Sequence, residues 1–268
     1  MAPDDERMKT GFQNMKKADN DRTDVDTDTD TDADRALISS RQSIARMPES
    51  RALAPEQLHE RRLIHAGLRD YHQLDLFREL RANVLHNCIR RNPVILVTGV
   101  SAGCGTSFLA RNLAVSIAFD EARTAILMDC NLRRPAVASN FLLPDKTTGL
   151  MDLFGNADPD PAHIIHHSGV PRLRLIPAGN GALNGVEYFA SVRMRALIHE
   201  VSSRYEDRCL VIDAPPALGS PDARILAEHA DLIVIVAGEA RHRSDTIRRA
   251  TAAFPRERLA GVVFNHLP

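Results

Sequence analysis

From residue 91 onward the apolar positions fall into two alternating patterns. Short unbroken runs rich in Val, Ile and Leu lie at 94–98, 125–129, 173–176, 209–213, 232–236 and 261–265, and such runs read as strands covered on both faces. Between them apolar residues recur every three or four positions, which predicts helices at 107–119, 193–203, 222–229 and 245–253, with a mixed stretch reaching 153. Strands alternating with helices predict an α/β fold, a doubly wound, mainly parallel sheet with helices on both faces and right-handed crossovers. Upstream, Leu74, Phe77, Leu80, Val84 and Leu85 share one helical face, so the span 58–89 is expected to be an amphipathic helix ahead of the sheet. Residues 1–60 show no sustained period, and 24–34 read DVDTDTDTDAD. A segment so acidic and polar cannot bury enough apolar area to offset its ordering entropy. The chain is therefore expected to divide into a disordered acidic extension at 1–57 and a globular domain at 58–268. The repeated aspartates lack the glycine and the bidentate glutamate of a calcium-binding helix-loop-helix.

Composition narrows the picture by exclusion. The chain has 268 residues, 34 basic and 35 acidic side chains and a net charge of −1, with both signs interspersed, so no basic stripe points to nucleic acid as a partner. No apolar run approaches the roughly 20 residues that cross a bilayer, and the N-terminal stretch is polar where a secretory leader would be basic and then apolar. A cytoplasmic protein is expected. The four cysteines, Cys88, Cys104, Cys130 and Cys209, have no C-x-x-C spacing and read as small buried hydrophobes. Adjacent His166 and His167 point different ways on any regular element, which argues against a shared metal site.

The densest chemistry lies at 94–107, VILVTGVSAGCGTS: a buried strand, a glycine-rich turn and a helix start. In a phosphate-binding loop, G-x-x-x-x-G-K-[ST], backbone N–H groups and a helix N-terminus cradle phosphates, a lysine reaches them, and the following hydroxyl holds Mg²⁺. Here Gly99, Ser101, Gly103, Cys104, Gly105 and Ser107 fit that layout, and Thr106 stands in the lysine position. Asp129 closes ILMD and Asp213 closes LVID, placing two acids at the carboxyl ends of buried strands, where doubly wound sheets bind ligands. A lone aspartate there reads as a helix cap or turn former, the more so for Asp213, which Ala214, Pro215 and Pro216 follow. Two, beside a glycine loop, read as a nucleotide site.

TGVSAGCGTSFLARNLA, AILMDCNLRRP, LRLIPAG, LVIDAPPAL and GVVFN, in this order, resemble the cytoplasmic P-loop domain of the bacterial tyrosine autokinases that control exopolysaccharide polymerisation and export. The resemblance covers roughly 58 to the C-terminus. It implies that 99–107 holds the phosphates of ATP or ADP, that Ser107 ligates Mg²⁺, that Asp129 is the catalytic acid, and that Asp213 holds the metal through water. It further implies that Asn265 reads adenine and that Asp75, Arg78 and Arg81, a D-x-x-R-x-x-R ridge similar to the family's E-x-x-R-x-x-R helix, lie at a homo-oligomer contact. Its implied partner is a membrane-embedded polysaccharide chain-length determinant, which would hold this protein at the inner membrane. Three departures fall on phosphotransfer: Thr106 for lysine, Asn131 for the second aspartate of D-x-D, and no C-terminal tyrosine cluster, the only tyrosines being Tyr71, Tyr188 and Tyr205. The expectation is a degenerate member of this group that binds nucleotide weakly and regulates without efficient phosphotransfer. Arg133 and Arg134 are placed to lend a replacement cation, although exposed arginines with no ligand role are the simpler reading. The alternatives are an active ATP-dependent autokinase and a partitioning ATPase of the MinD/ParA type, whose K-G-G-x-G-K-[ST] loop has a lysine where this chain has Ser101.

Overall fold

The unbroken apolar runs become the strands of one sheet. The computed structural model describes residues 52–68, 71–86, 88–155, 160–180, 185–205, 207–239 and 241–266. In chain order the elements are α1 (Pro55–Glu60), α2 (Tyr71–His86), β1 (Val94–Gly99), α3 (Thr106–Ala118), β2 (Thr124–Asp129), α4 (Val137–Asn140), α5 (Leu150–Gly155), β3 (His166–His167), β4 (Leu173–Ile176), α6 (Gly185–Phe189), α7 (Val192–Ser203), β5 (Arg208–Asp213), α8 (Asp222–Ala227), β6 (Leu232–Gly238), α9 (Ser244–Thr251) and β7 (Leu259–Asn265). The sheet has seven strands in the order β3-β4-β2-β5-β1-β6-β7. Every residue of β1, β2, β5 and β6 is buried, as a sheet covered on both faces requires. All pairings are parallel except β3 with β4.

Strand order fixes where a ligand can enter. The chain runs outward from β1 to β2 and β4, returns to insert β5 between β2 and β1, and continues to β6 and β7 on the other side. With right-handed crossovers this reversal places helices on opposite faces and opens a crevice at the carboxyl ends of β2, β5 and β1. The pairing aligns Asp129 with Asp213, and Asp213 with Val97. The two acids and the start of the glycine loop thus occupy three consecutive strand ends.

The amino-terminal helix differs from the pattern-based expectation. Instead of one helix over 58–89 there are two, because the chain turns at Arg62, which has φ 53°, and buries Leu63 and Ile64. Asn112 of α3, fully buried, holds that turn: its Oδ1 accepts from Ile64 N (2.8 Å) and its Nδ2 donates to Arg62 O (3.0 Å). Helical periodicity cannot register such a turn, since Ile64 and Leu68, four residues apart, still fit the spacing. Leu74, Phe77 and Val84 of α2 are buried as expected. The short strand β3 was not foreseen, because two histidines carry no apolar alternation. α1 crosses the expected domain boundary at 57/58, and the acidic stretch before residue 52 lies outside the described residues. No helix among the described residues is long and apolar enough to cross a membrane.

Candidate nucleotide-binding site

The glycine loop follows β1 and delivers the chain into α3. Gly103 (φ 81°) and Gly105 (φ 85°) are left-handed, a conformation that favours glycine. With Gly105 as the N-cap, the amides of Thr106, Ser107 and Phe108 are first-turn donors with no intrahelical acceptor, the source of a helix N-terminus's affinity for anions. At Gly99 a Cβ would lie 2.4 Å from the Thr106 hydroxyl and 3.0 Å from Ser101 O. Thr106 therefore turns its hydroxyl back into the loop, and the lysine position offers no cation.

Three side chains, two from the loop after β6 and one from the end of β7, hold the glycine loop. Arg241 Nη1 donates to Gly103 O (3.0 Å) and Asn265 Nδ2 donates to Cys104 O (3.0 Å), while His242 Nε2 and the Ser101 hydroxyl are 2.8 Å apart. In a trans peptide the C=O and the next N–H point in opposite directions. Fixing the carbonyls of Gly103 and Cys104 on the Arg241 and Asn265 side therefore aims the amides of Cys104 and Gly105 the other way. Sequence reasoning missed Arg241 and His242, which lie in a polar loop with no motif. Asn265, expected to read adenine, sits beside the loop with its amide nitrogen engaged by Cys104 O. Cys104 itself is buried, its sulfur 3.4 Å from Ser101 N.

Asp129 and Asp213 share a rung and differ in their hydrogen bonding. Both are buried. Asp129 accepts three backbone hydrogen bonds, from Asn131 N (3.1 Å), Ala136 N (2.8 Å) and Val137 N (2.9 Å). It caps α4 and closes the loop 130–136 around its carboxylate. No hydrogen bond of ordinary geometry reaches either oxygen of Asp213. Burial pushes both acids up, and the Asp129 charge raises Asp213 further, with the Ser107 hydroxyl and then Arg111 offsetting part of it. The cap role that the following prolines suggested for Asp213 belongs to Asp129.

A cleft of about 460 Å³ lies over these strand ends, with Gly103, Thr106, Ser107, Asn131, Arg133 and Pro215 among the residues around it. Ser107 lines the cleft, and Asp213, whose carboxylate interacts with the Ser107 hydroxyl, lies buried one residue before the lining residue Ala214; together they supply hard oxygen donors, a chemistry suited to Mg²⁺. Among the described residues no group of three or more His, Cys, Asp or Glu side chains could hold a metal alone, so a bound Mg²⁺ would complete its shell with phosphate oxygens and water. Asp75, Arg78 and Arg81 lie on α2, outside the cleft lining. Arg78 pairs with Asp75 at 3.1 Å on the exposed surface, and Arg81 Nη1 donates to Ser116 O (2.7 Å) on α3.

Comparison with known proteins bears on the fold that carries this site. No family model matches the chain. It is 31% identical over 179 residues to a putative tyrosine-protein kinase EpsB of Ralstonia solanacearum, an alignment covering 66% of this chain and 23% of that protein. It is 28% identical over 193 residues to the tyrosine-protein kinase YwqD of Bacillus subtilis, covering 70% of this chain and 79% of that one. The chain thus spans about a quarter of the length of EpsB and most of the length of YwqD. Among solved structures, the VpsO kinase domain superposes with a TM-score of 0.64 at 25% identity, over 74% of this chain and 98% of that domain.

Proposed function

We propose that this chain, which belongs with the P-loop domains of the bacterial tyrosine-protein kinases, binds ATP or ADP with Mg²⁺ and acts as a regulatory partner in exopolysaccharide synthesis rather than as an efficient phosphotransferase. The observation that carries the reading is the buried Asp213 carboxylate, reached by no hydrogen bond of ordinary geometry and with the Ser107 hydroxyl at the head of α3 as its neighbour. A fold that only needed a turn there would not leave a buried carboxylate in that state. Loop amides supply the phosphate cradle, Ser107 and Asp213 would hold Mg²⁺, and Mg²⁺ when bound would neutralise phosphate charge. Thr106 offers no point charge to the transferring phosphoryl group, and losing one preorganised stabiliser of that kind costs about 10²- to 10³-fold in rate. The protein's place is then the cytoplasm, at the inner membrane through a polysaccharide chain-length determinant. The Asp75–Arg78 face of α2 is offered to a second copy. A partitioning ATPase of the MinD type shares the fold, with a TM-score of 0.51 at 19% identity for the Pyrococcus furiosus protein, and that likeness extends to the fold alone.

Calorimetric titration with ATP, ADP and Mg²⁺ tests the binding half of this reading, with saturable Mg²⁺-dependent binding as the expected result. Incubation with labelled ATP tests the other half. Rapid incorporation of phosphate on tyrosine by the purified chain would overturn it.

A further inference from the structure

We infer that the positive charge missing from the glycine loop is supplied by Arg133 and Arg134, and that Asp129 is the positioning residue that holds them there. The inference rests on the nucleotide reading and names the groups that bind the polyphosphate.

Both arginines line the same cleft as Gly103, Gly105, Thr106 and Ser107. They are exposed, and among the described residues neither guanidinium has a carboxylate partner, whereas Arg78, Arg90, Arg123, Arg204 and Arg248 each do. They stand at the crest of the loop 130–136. Asp129 fastens that loop at both ends, at Asn131 N and at Ala136 N and Val137 N, and a turn bond from Arg134 N to Asn131 O (2.9 Å) closes its middle. Two long cations on a tethered loop thus border the same cleft as Gly105 and the first turn of α3. The carbonyl side of the glycine loop is taken by Arg241, whose guanidinium is already bonded to Gly103 O.

Two guanidiniums with planar donor forks suit the oxygens of a polyphosphate, and they bind it bidentately where a lysine would offer a single point. The ligand class is a nucleoside di- or triphosphate, with the arginines reading phosphate and not base. The two buried carboxylates at the strand ends, Asp129 and Asp213, provide a reason for the arrangement: cations at the cleft balance nearby acids without entering the core, where their desolvation would be costly.

The test is nucleotide affinity of the full chain, using ATP, ADP and adenosine as probes with Mg²⁺, for wild type, the double variant R133A/R134A, T106K, and the triple variant. Thermal melting serves as the folding control, since both arginines are exposed. The expected results are a loss of about 10- to 100-fold for ATP in the double variant, an unchanged affinity for adenosine, and recovery of at least about tenfold when Thr106→Lys is added to it, more than the same substitution gains in wild type. Wild type binding ATP while R133A/R134A binds within about twofold of it would overturn the inference and leave the nucleotide reading standing. A wild-type chain that binds neither ATP nor ADP would overturn both. R133K/R134K, which keeps the charge and loses the fork, should fall between wild type and the double variant.

Discussion

Strands β2 and β5 end in aspartates that face each other at one rung of the sheet, yet the two carboxylates have opposite surroundings. Asp129 is saturated by three amides, and Asp213 receives no well-formed hydrogen bond. The difference separates a residue committed to the fold from one left open to a ligand, although the sequence presents both in the same way. A similar division appears in the glycine loop, where Arg241 and Asn265 engage carbonyls on one side while amides on the other face a cleft. Reading the unsatisfied half of each pair is what locates the site.

The largest effect should come from breaking the satisfied half. Asp129→Ala orphans three amides and releases the loop 130–136, which is expected to cost about 2 to 4 kcal/mol, because unpaired buried donors carry their full desolvation penalty. Denaturant unfolding measures it as a fall in midpoint. A loss below about 1 kcal/mol would mean that the loop finds other acceptors, and the contrast between the two acids would fail.

Asp213→Asn should do the reverse. Removing a buried charge beside another acid is expected to raise the stability of the ligand-free protein by about 1 to 3 kcal/mol at pH 8 and to abolish Mg²⁺-dependent nucleotide binding. The pH dependence follows from the direction of the shift. An unfolded aspartate titrates near about 3.9, and Asp213 in the fold titrates well above it. Between those two values the folded state binds more protons, so this acid's contribution to stability is fully present below pH 4 and is lost as the pH rises through its folded value. Ligand-free wild type should therefore melt at a lower temperature at pH 8 than at pH 6 by more than Asp213→Asn does, and Mg²⁺ with ATP should reduce the difference. Equal slopes for the two proteins would remove Asp213 from the account.

The fold was legible because its core strands are continuous runs of Val, Ile and Leu, and each of the six runs became a strand within two residues of its expected ends. The glycine loop and both acids were legible as well, since strand ends in such a sheet converge by topology. What the sequence did not carry was which acid takes the cap. That depends on the conformation of 130–137, where Ala136 and Val137 bring their amides back to Asp129, and nothing in NLRRPAV announces this return. Arg241 and His242 were invisible for a related reason: their contacts span 138 and 141 positions, and the loop that carries them has no periodicity. The turn at Arg62 was hidden because its support, Asn112, lies on a helix 50 residues away.

A smaller effect isolates the clamp on the glycine loop. Asn265→Ala frees Cys104 O and should lower stability by about 1 kcal/mol, the net value of one hydrogen bond. ATP affinity should fall several-fold more than affinity for adenosine, because a loosened peptide no longer aims its amide at phosphate. An equal loss for both ligands would instead assign Asn265 to the base, as the family resemblance has it, and would confine preorganisation to Arg241 and His242.

The smallest effect concerns α2, where committed and free groups again lie side by side. Arg81 holds Ser116 O at 2.7 Å, so Arg81→Ala should cost about 1 kcal/mol in the monomer. Arg78 pairs only with exposed Asp75, their side chains 53% and 66% accessible, and exposed pairs contribute between about 0 and 1 kcal/mol. Arg78→Ala should therefore leave the melting temperature nearly unchanged. If the Asp75–Arg78 face meets a second copy, the same variant should lower the sedimentation coefficient at high concentration, while Arg81→Ala alters melting first and assembly only as a consequence. A variant of Arg78 that melts early and sediments normally would reverse the two roles, returning the whole ridge to the fold and leaving no group on α2 for an interface.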